Sequence, residues 1–88
     1  MKKQHQQLKS QSYPLKPVVI IGIRGLTQAV HKEIECALEA HELIKIRLNA
    51  SDKEQRQTMI NAIIQQHQAQ LIDQIGHTAS FYRKSSKK

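Results

Sequence analysis

The feature that most constrains the fold is a change of apolar periodicity along the first half of the 88-residue chain. Residues 18–21 (VVII) form a continuous apolar run, which is typical of a strand buried on both faces and predicts a central place in its sheet. Val30, Ile34 and Leu38 then recur at helical spacing, and residues 43–49 alternate as a half-buried strand does. A strand, a helix and a second strand in this order predict a right-handed crossover between parallel strands.

The second half of the chain continues the alternation of helices and strands. Thr27 is the predicted N-cap of the first long helix, and Ser51 with Glu54 forms a capping-box pattern ahead of another helix that ends near residue 68. Residues 70–75 and 79–83 read as two short strands joined by a tight turn. The predicted fold class is α/β, with two layers, a mixed four-stranded sheet, helices on one face and the order (α)βαβαββ.

The two ends of the chain differ in composition from the part between them. Residues 1–12 are a basic, glutamine-rich segment that predicts a weak helix ending before Pro14, and residues 85–88 are a basic tail. Residues 13–84 are the predicted domain. The net charge is +7, but six of the 14 basic residues lie before residue 13 or after residue 83, which leaves eight basic against seven acidic residues from 13 to 83. The charge therefore indicates basic tails and only weakly indicates a polyanionic partner.

Size and residue usage narrow the classes of function. A chain this short forms one small core without a deep cavity, so we expect neither a small-molecule substrate nor catalysis. No apolar run is long enough to span a bilayer. Cys36 is the only cysteine, which rules out an intramolecular disulfide and predicts a reducing, cytoplasmic setting, and we expect its side chain to pack. The five histidines lack the spacing of zinc ligands, so no metal site and no cofactor are predicted.

The candidate site is the loop Gly22-Ile23-Arg24-Gly25 between the first strand and the first long helix. Unpaired amides and the positive end of the helix dipole meet at such a place, and flanking glycines let a phosphate approach the backbone. Arg24 adds a planar cation suited to phosphate oxygens. On their own, the two glycines are more typical of a simple tight turn than of a binding site. The loop has neither the third glycine of a dinucleotide site nor the lysine of a nucleotide P-loop.

A family resemblance gives this loop a context. Residues 15–17 (LKP), the G-x-x-G loop followed by Leu26-Thr27, residues 33–38 and residues 41–45 (HELIK) resemble the CRM domain, named for chloroplast RNA splicing and ribosome maturation, in its stand-alone bacterial form. Residues 75–83 are similar to the closing hairpin of that family. The resemblance extends from about residue 8 to 83. It implies a fold like the C-terminal domain of translation initiation factor three, and a G-x-x-G loop that resembles the backbone-clamping loop of KH domains.

The resemblance implies what such a chain binds. Family members associate with precursors of the large ribosomal subunit in bacteria, so the expected partner is ribosomal RNA and the expected role is in ribosome biogenesis, by a monomer without catalytic activity. Many members carry a polar or basic residue at the position of Ile23, so here the charge of the loop depends on Arg24. Further RNA-binding candidates are four cations that could follow a phosphate backbone: Lys16, Lys32, Lys45 and Arg47.

Simpler interpretations stay open for several of these residues. Lys45 and Arg47 are also what the solvated face of a strand would carry, and the resemblance favours a functional role more for Lys45 than for Arg47. Glu35 and Glu39 are spaced as a solvated helix face. The alternative function is a protein-interaction module with solubilising basic tails. Its docking surface would be the sheet face or a helix flank of small side chains, Ala29, Cys36 and Ala40, where a neighbouring helix could pack.

Overall fold

The computed structural model describes residues 2–12, 14–22, 24–50 and 52–85, with the side chains of residues 2–6 left out. Seven elements follow one another along the chain. They are α1 (Lys2–Ser12), β1 (Val19–Ile21), α2 (Gln28–His41), β2 (Leu43–Leu48), α3 (Lys53–His67), β3 (Gln70–Ile75) and β4 (Thr78–Tyr82). Their order confirms the predicted (α)βαβαββ arrangement, including the short first helix. The division of the chain after residue 12 stays a prediction.

The strands form one mixed sheet in the order β1-β2-β4-β3. β1 pairs with β2 in parallel, as the crossover through α2 requires, and β4 is antiparallel to both β2 and β3. The α/β class with a mixed four-stranded sheet is confirmed. The predicted central place of the first strand is wrong, because β4 pairs with β2 and leaves β1 at the edge. Val18 and Ile20 are consequently 48% and 59% exposed.

The hydrophobic core lies between one face of the sheet and the two long helices. Alternate residues of β2 point into it, as the period-two pattern predicts. Phe81 of β4 is fully buried beside Ile44, its cross-strand partner. The core side chains are Val19, Ile21, Ile34, Leu38, Ile44, Ile46, Leu48, Ile60, Ile63, Ala69, Ala79 and Phe81.

Helix α1 contacts β2, β3 and β4 on the sheet face that the core does not use, so the prediction of helices on one face holds for α2 and α3 and not for α1. Ser12 at its end is 1% exposed and shares a small crevice with the outward-facing Lys45, Asp73 and Ser80. Lys9 of α1 forms an ion pair with Asp73 at 4.0 Å. The outward face is thus covered over its β3 and β4 side and open along β1.

Local sequence features set the ends of the long helices. Thr27 caps α2 as predicted, since its hydroxyl accepts a hydrogen bond from the Val30 amide at 3.2 Å. Asp52 caps α3, because its carboxylate accepts from the Glu54 amide at 3.0 Å. Ser51, the predicted cap, lies outside the described residues. Glu42 ends α2 with φ 63°, and its amide donates to the Leu38 carbonyl at 2.9 Å.

Candidate nucleic-acid interface

The G-x-x-G loop joins the edge strand β1 to the start of α2. The Gly25 amide donates to the Gly22 carbonyl at 3.0 Å, which closes a tight turn. Gly25 has φ +72°, a left-handed conformation that favours glycine, whereas Gly22 has no such requirement. Ile23 lies outside the described residues, so nothing is assigned to its side chain. Gly25 is therefore explained by the turn, and Gly22 is not.

Part of the predicted set of free amides is already occupied by the protein itself. Gly25 donates within the turn, Thr27 donates to the Gly25 carbonyl at 3.0 Å, and Val30 donates to the Thr27 side chain. Within the described part of the chain, the amides of Gln28 and Ala29 are left without an acceptor, and both residues are exposed. The amides at the first turn of α2 are therefore open to an anion, whereas those of Gly25 and Thr27 are not.

Arg24 is exposed, as the RNA-binding hypothesis requires. It belongs to the connection between the sheet layer and the helix layer. An exposed arginine a few residues ahead of a helix start suits a phosphate, since the helix dipole and a full positive charge can then act on the same anion.

The other predicted cations do not share one face. Lys16 is exposed, and Lys45 and Arg47 lie on the outward face of the sheet, because their neighbours along β2 point into the core. Lys32 is exposed on α2, which packs against the opposite face. The cations thus form two groups, one on each side of the layer boundary where Arg24 lies.

The hollow between the G-x-x-G loop and α3 is lined in part by negatively charged side chains. It has a volume of about 430 Å³, and its lining includes Gly22, Gly25, Asp52 and Glu54. Carboxylates at this position repel phosphate. The open approach to the loop is therefore from the side of the α2 start.

The structure adds two basic side chains to this end of the domain that the sequence did not single out. Arg56 donates through Nη1 to the Ala50 carbonyl at 2.9 Å, and the same nitrogen lies 3.4 Å from Nδ1 of His77 in the β3–β4 turn. The Arg56 Nε atom is buried and has no partner among the described residues. Since Arg56 lies in a helix and His77 in a distant turn, no local pattern of the sequence links them.

A second polar cluster ties the opposite end of the domain together. Arg83, just after β4, donates to both carboxylate oxygens of Glu35, at 2.9 and 2.7 Å, and to Glu39 at 3.2 Å. It also donates to the His67 carbonyl at 3.1 Å. Ser85 donates through Oγ to Glu39 at 2.6 Å. The prediction that Glu35 and Glu39 form a solvated face is wrong in part: the Glu35 side chain is 47% exposed, but both carboxylates accept hydrogen bonds from Arg83.

Two histidines join this cluster. His67 is 4% exposed, and its Nδ1–H donates to Glu35 at 2.9 Å. Its Nε2 lies 2.9 Å from Nδ1 of His31. Hydrogen bonds from Arg83 and then from His67 lower the pKa of Glu35 to about 2. Burial, followed by the nearby His67, lowers the pKa of His31. The polar atoms of this cluster are turned toward one another, which is the arrangement of a structural clamp between α2, α3 and the end of β4.

The remaining candidates carry little chemistry. In the described part of the chain, no three His, Cys, Asp or Glu side chains are grouped to hold a metal ion. Cys36 is exposed, so the prediction that it packs is wrong. Ala29 and Ala40 are exposed as well, so no described helix of this chain packs on that flank, and its use as a docking surface stays a prediction. None of the described helices combines the length and the apolar character needed to cross a membrane.

Comparisons with known proteins agree with this architecture. A Haemophilus influenzae protein named as an RNA-binding protein is 46% identical over 83 residues, which is 94% of this chain and 84% of that protein. A probable RNA-binding protein of Pseudomonas aeruginosa is 39% identical over 84 residues, 96% of this chain and 81% of that one. A Bacillus subtilis protein, also named a probable RNA-binding protein, is 32% identical over 94% of this chain and 86% of its own length.

Among solved structures, a Staphylococcus aureus protein described as hypothetical and as a candidate RNA binder matches with a TM-score of 0.84 and 26% identity. The match covers 98% of this chain and 90% of that one. The model of the CRS1/YhbY (CRM) domain matches residues 1–83. On the order of its elements, its sheet and these matches, the chain belongs to the CRS1/YhbY (CRM) domain family.

Proposed function

We propose that this chain is an RNA-binding protein that holds the sugar-phosphate backbone of a structured RNA at the start of α2. The observation that carries the proposal is the combination found there: amides of Gln28 and Ala29 with no acceptor among the described residues, an exposed Arg24, and a Gly22 with open space around it. The names of the bacterial relatives support RNA as the ligand. Lys16, Lys32, Lys45 and Arg47 would extend this contact along the backbone on either side of the loop, since backbone binding needs several cations.

Backbone recognition fits the open surface of this site. Gly22 is exposed, and a Cβ built on it meets no atom within 4 Å, so the glycine is not needed for packing. A glycine that neither packing nor backbone conformation requires is explained by an incoming group that must come close to the main chain. The ligand would approach from the α2 side, because Asp52 and Glu54 occupy the other side of the loop.

The role that we propose is assembly of the large ribosomal subunit. The chain would act in the cytoplasm as a monomer, bind ribosomal RNA of the precursor particle, and release it without catalysing a reaction. The membership of the CRM family supports this setting. A protein-interaction module is the second candidate, and the exposed apolar side chains of Val18 and Ile20 favour it.

Replacement of Gly22 by aspartate tests the proposed site. Gly22→Asp places a carboxylate beside the helix start, where open space and an ordinary backbone conformation leave the fold unaffected. We expect the Kd for RNA to rise about ten-fold or more. Repulsion between the aspartate and a phosphate reduces the binding free energy by more than the loss of one contact does. Gln66→Glu is the matched control, because it makes the same change of charge at an exposed position of α3.

The cellular role is tested by sedimentation of a tagged copy through a sucrose gradient. Co-migration of the wild type with particles slightly lighter than the mature large subunit, and its loss in Gly22→Asp, is the expected result. Migration of the wild type among free proteins only would refute the assembly role and leave RNA binding to be judged from purified components.

A further inference from the structure

The outward face of the sheet at β1 carries apolar side chains that the described structure leaves about half exposed. Val18 is 48% exposed and Ile20 is 59% exposed, while Val19 and Ile21 between and beyond them are buried in the core. Helix α1 covers the same sheet face chiefly over β2, β3 and β4. A strip of aliphatic surface is therefore left open at the edge of the sheet, directly ahead of the G-x-x-G loop.

At the end farther from the G-x-x-G loop, next to Val18, the strip widens into a groove. The groove has a volume of about 460 Å³ and is lined by apolar side chains, chiefly Leu15, Val18 and Leu43, and by Lys16 and Lys45. None of its lining residues is a carboxylate. An apolar floor with ammonium groups beside it suits a planar heterocycle that is attached to a phosphate.

At the end nearer to the G-x-x-G loop, the strip adjoins the Arg47 side chain. Ile20 and Arg47 are partners in the parallel register of β1 and β2, so their side chains lie next to each other on the outward face. The Arg47 Nε donates to the Asn49 side chain at 3.2 Å. A guanidinium held in place beside an aliphatic side chain offers a flat surface for a base. The distance from Val18 to Gly22 along the strand is roughly 13 Å at the usual rise per residue.

We propose that this strip, from the Leu15–Val18 groove to Ile20 and Arg47, binds unpaired nucleotides of the RNA whose backbone the loop holds. The bases would lie on Val18 and Ile20 and beside the Arg47 guanidinium, and their phosphates would contact Lys16. The proposal depends on the proposed function, and it adds a ligand class: RNA in which a single-stranded segment adjoins a helix.

Charge favours RNA over a protein as the occupant. The cations Lys16, Lys45 and Arg47 surround the strip, and the described carboxylate on this sheet face, Asp73, is turned to Lys9 under α1. β1 has only three residues, so it offers a short edge for an added peptide strand. The strip also continues directly into Gly22, so one nucleic-acid strand could contact both.

The test compares two synthetic RNAs by fluorescence anisotropy with the full chain. One is a fully paired hairpin, and the other is the same hairpin with a single-stranded 3′ extension. We expect the extended RNA to bind roughly five-fold more tightly, which is the lower end of the range for one base on an aromatic side chain, because the strip is aliphatic. The double substitution Val18→Ser and Ile20→Ser should remove this preference and leave the affinity for the paired hairpin unchanged.

Ile75→Ser is the matched control. Ile75 is 52% exposed on the outward face at the opposite edge of the sheet, so it makes the same chemical change away from the strip. It should keep the preference, and thermal melts should show all variants folded. Equal binding of the two RNAs by the wild type, or a preference that survives the double substitution, would overturn the strip proposal. Failure of the wild type to bind either RNA would instead refute the proposed function.

Discussion

Replacement of Arg83 by methionine should destabilise the domain more than any other change of a charged side chain discussed above. The Arg83 side chain is 18% exposed and donates hydrogen bonds to Glu35, Glu39 and the His67 carbonyl. Methionine keeps most of the packing and removes the charge. Glu35 is 47% exposed, so water can solvate it after the substitution, and the loss is smaller than for a fully buried pair.

The size of the effect follows from these contacts. Hydrogen bonds to charged groups contribute about 1.5–3 kcal/mol each when shielded from water, and the exposure of Glu35 reduces this strongly, so we expect a total loss of about 2 kcal/mol. For a domain of this size, 1 kcal/mol corresponds to roughly 4–8 °C, so Tm should fall by about 10 °C. Chemical unfolding followed by circular dichroism, together with thermal melts, measures both quantities.

The pH dependence makes this prediction more specific. Glu35 has its pKa lowered to about 2, so its contribution to stability is fully present above pH 4.5 and is lost as the pH falls toward 2. Arg83→Met should abolish much of this acid-dependent loss, because the first cause of the lowered pKa is gone. Lys84→Met is the control, since Lys84 is exposed and adjacent in the chain. A variant within about 0.5 kcal/mol of wild type at neutral pH would show that the clamp does not stabilise the fold.

Three further outcomes are expected. The imidazole of His31 should titrate below pH 6.5 in NMR spectra, and a midpoint at or above 6.5 would contradict this. Because the fold favours neutral His31, the unfolding free energy should fall as the pH decreases from 6.5 through the lowered pKa. Asp52→Ala should lower the unfolding free energy by about 1 kcal/mol through loss of the α3 cap, and no change in urea titration would refute that cap. Gly25→Ala should cost about 1–2 kcal/mol because of its positive φ, whereas Gly22→Ala should leave stability unchanged; equal costs would be inconsistent with the described turn.

Much of the fold follows from local patterns in the sequence. In β2, α2 and the β3–β4 hairpin, the apolar residues follow one periodicity over the whole element. Only one secondary structure then buries all of them on the same face. The Thr27 cap is equally local. The edge position of β1 was not predictable in this way, because an apolar residue such as Ile20 fits a buried central strand as well as an exposed binding strip.

The contacts that the sequence hides are those between distant polar residues. Arg83 and Glu35 are 48 positions apart, and His31 and His67 are 36 apart, so no spacing rule connects them. The loop was recognisable from its glycines and Arg24, but the occupied amides of Gly25 and Thr27 depend on the exact turn. The separation of Lys32 from Lys45 likewise depends on which face α2 covers, which the helical pattern does not reveal.

The most direct test of phosphate binding at the α2 start is the salt dependence of RNA affinity for Arg24→Ala. A plot of log Kd against log salt concentration should have a slope smaller by about 1 than that of the wild type, as expected for one lost phosphate contact. Lys84→Ala, an exposed cation beyond β4, should keep the wild-type slope. An Arg24→Ala slope equal to that of the wild type would contradict the assignment of this loop to the RNA backbone.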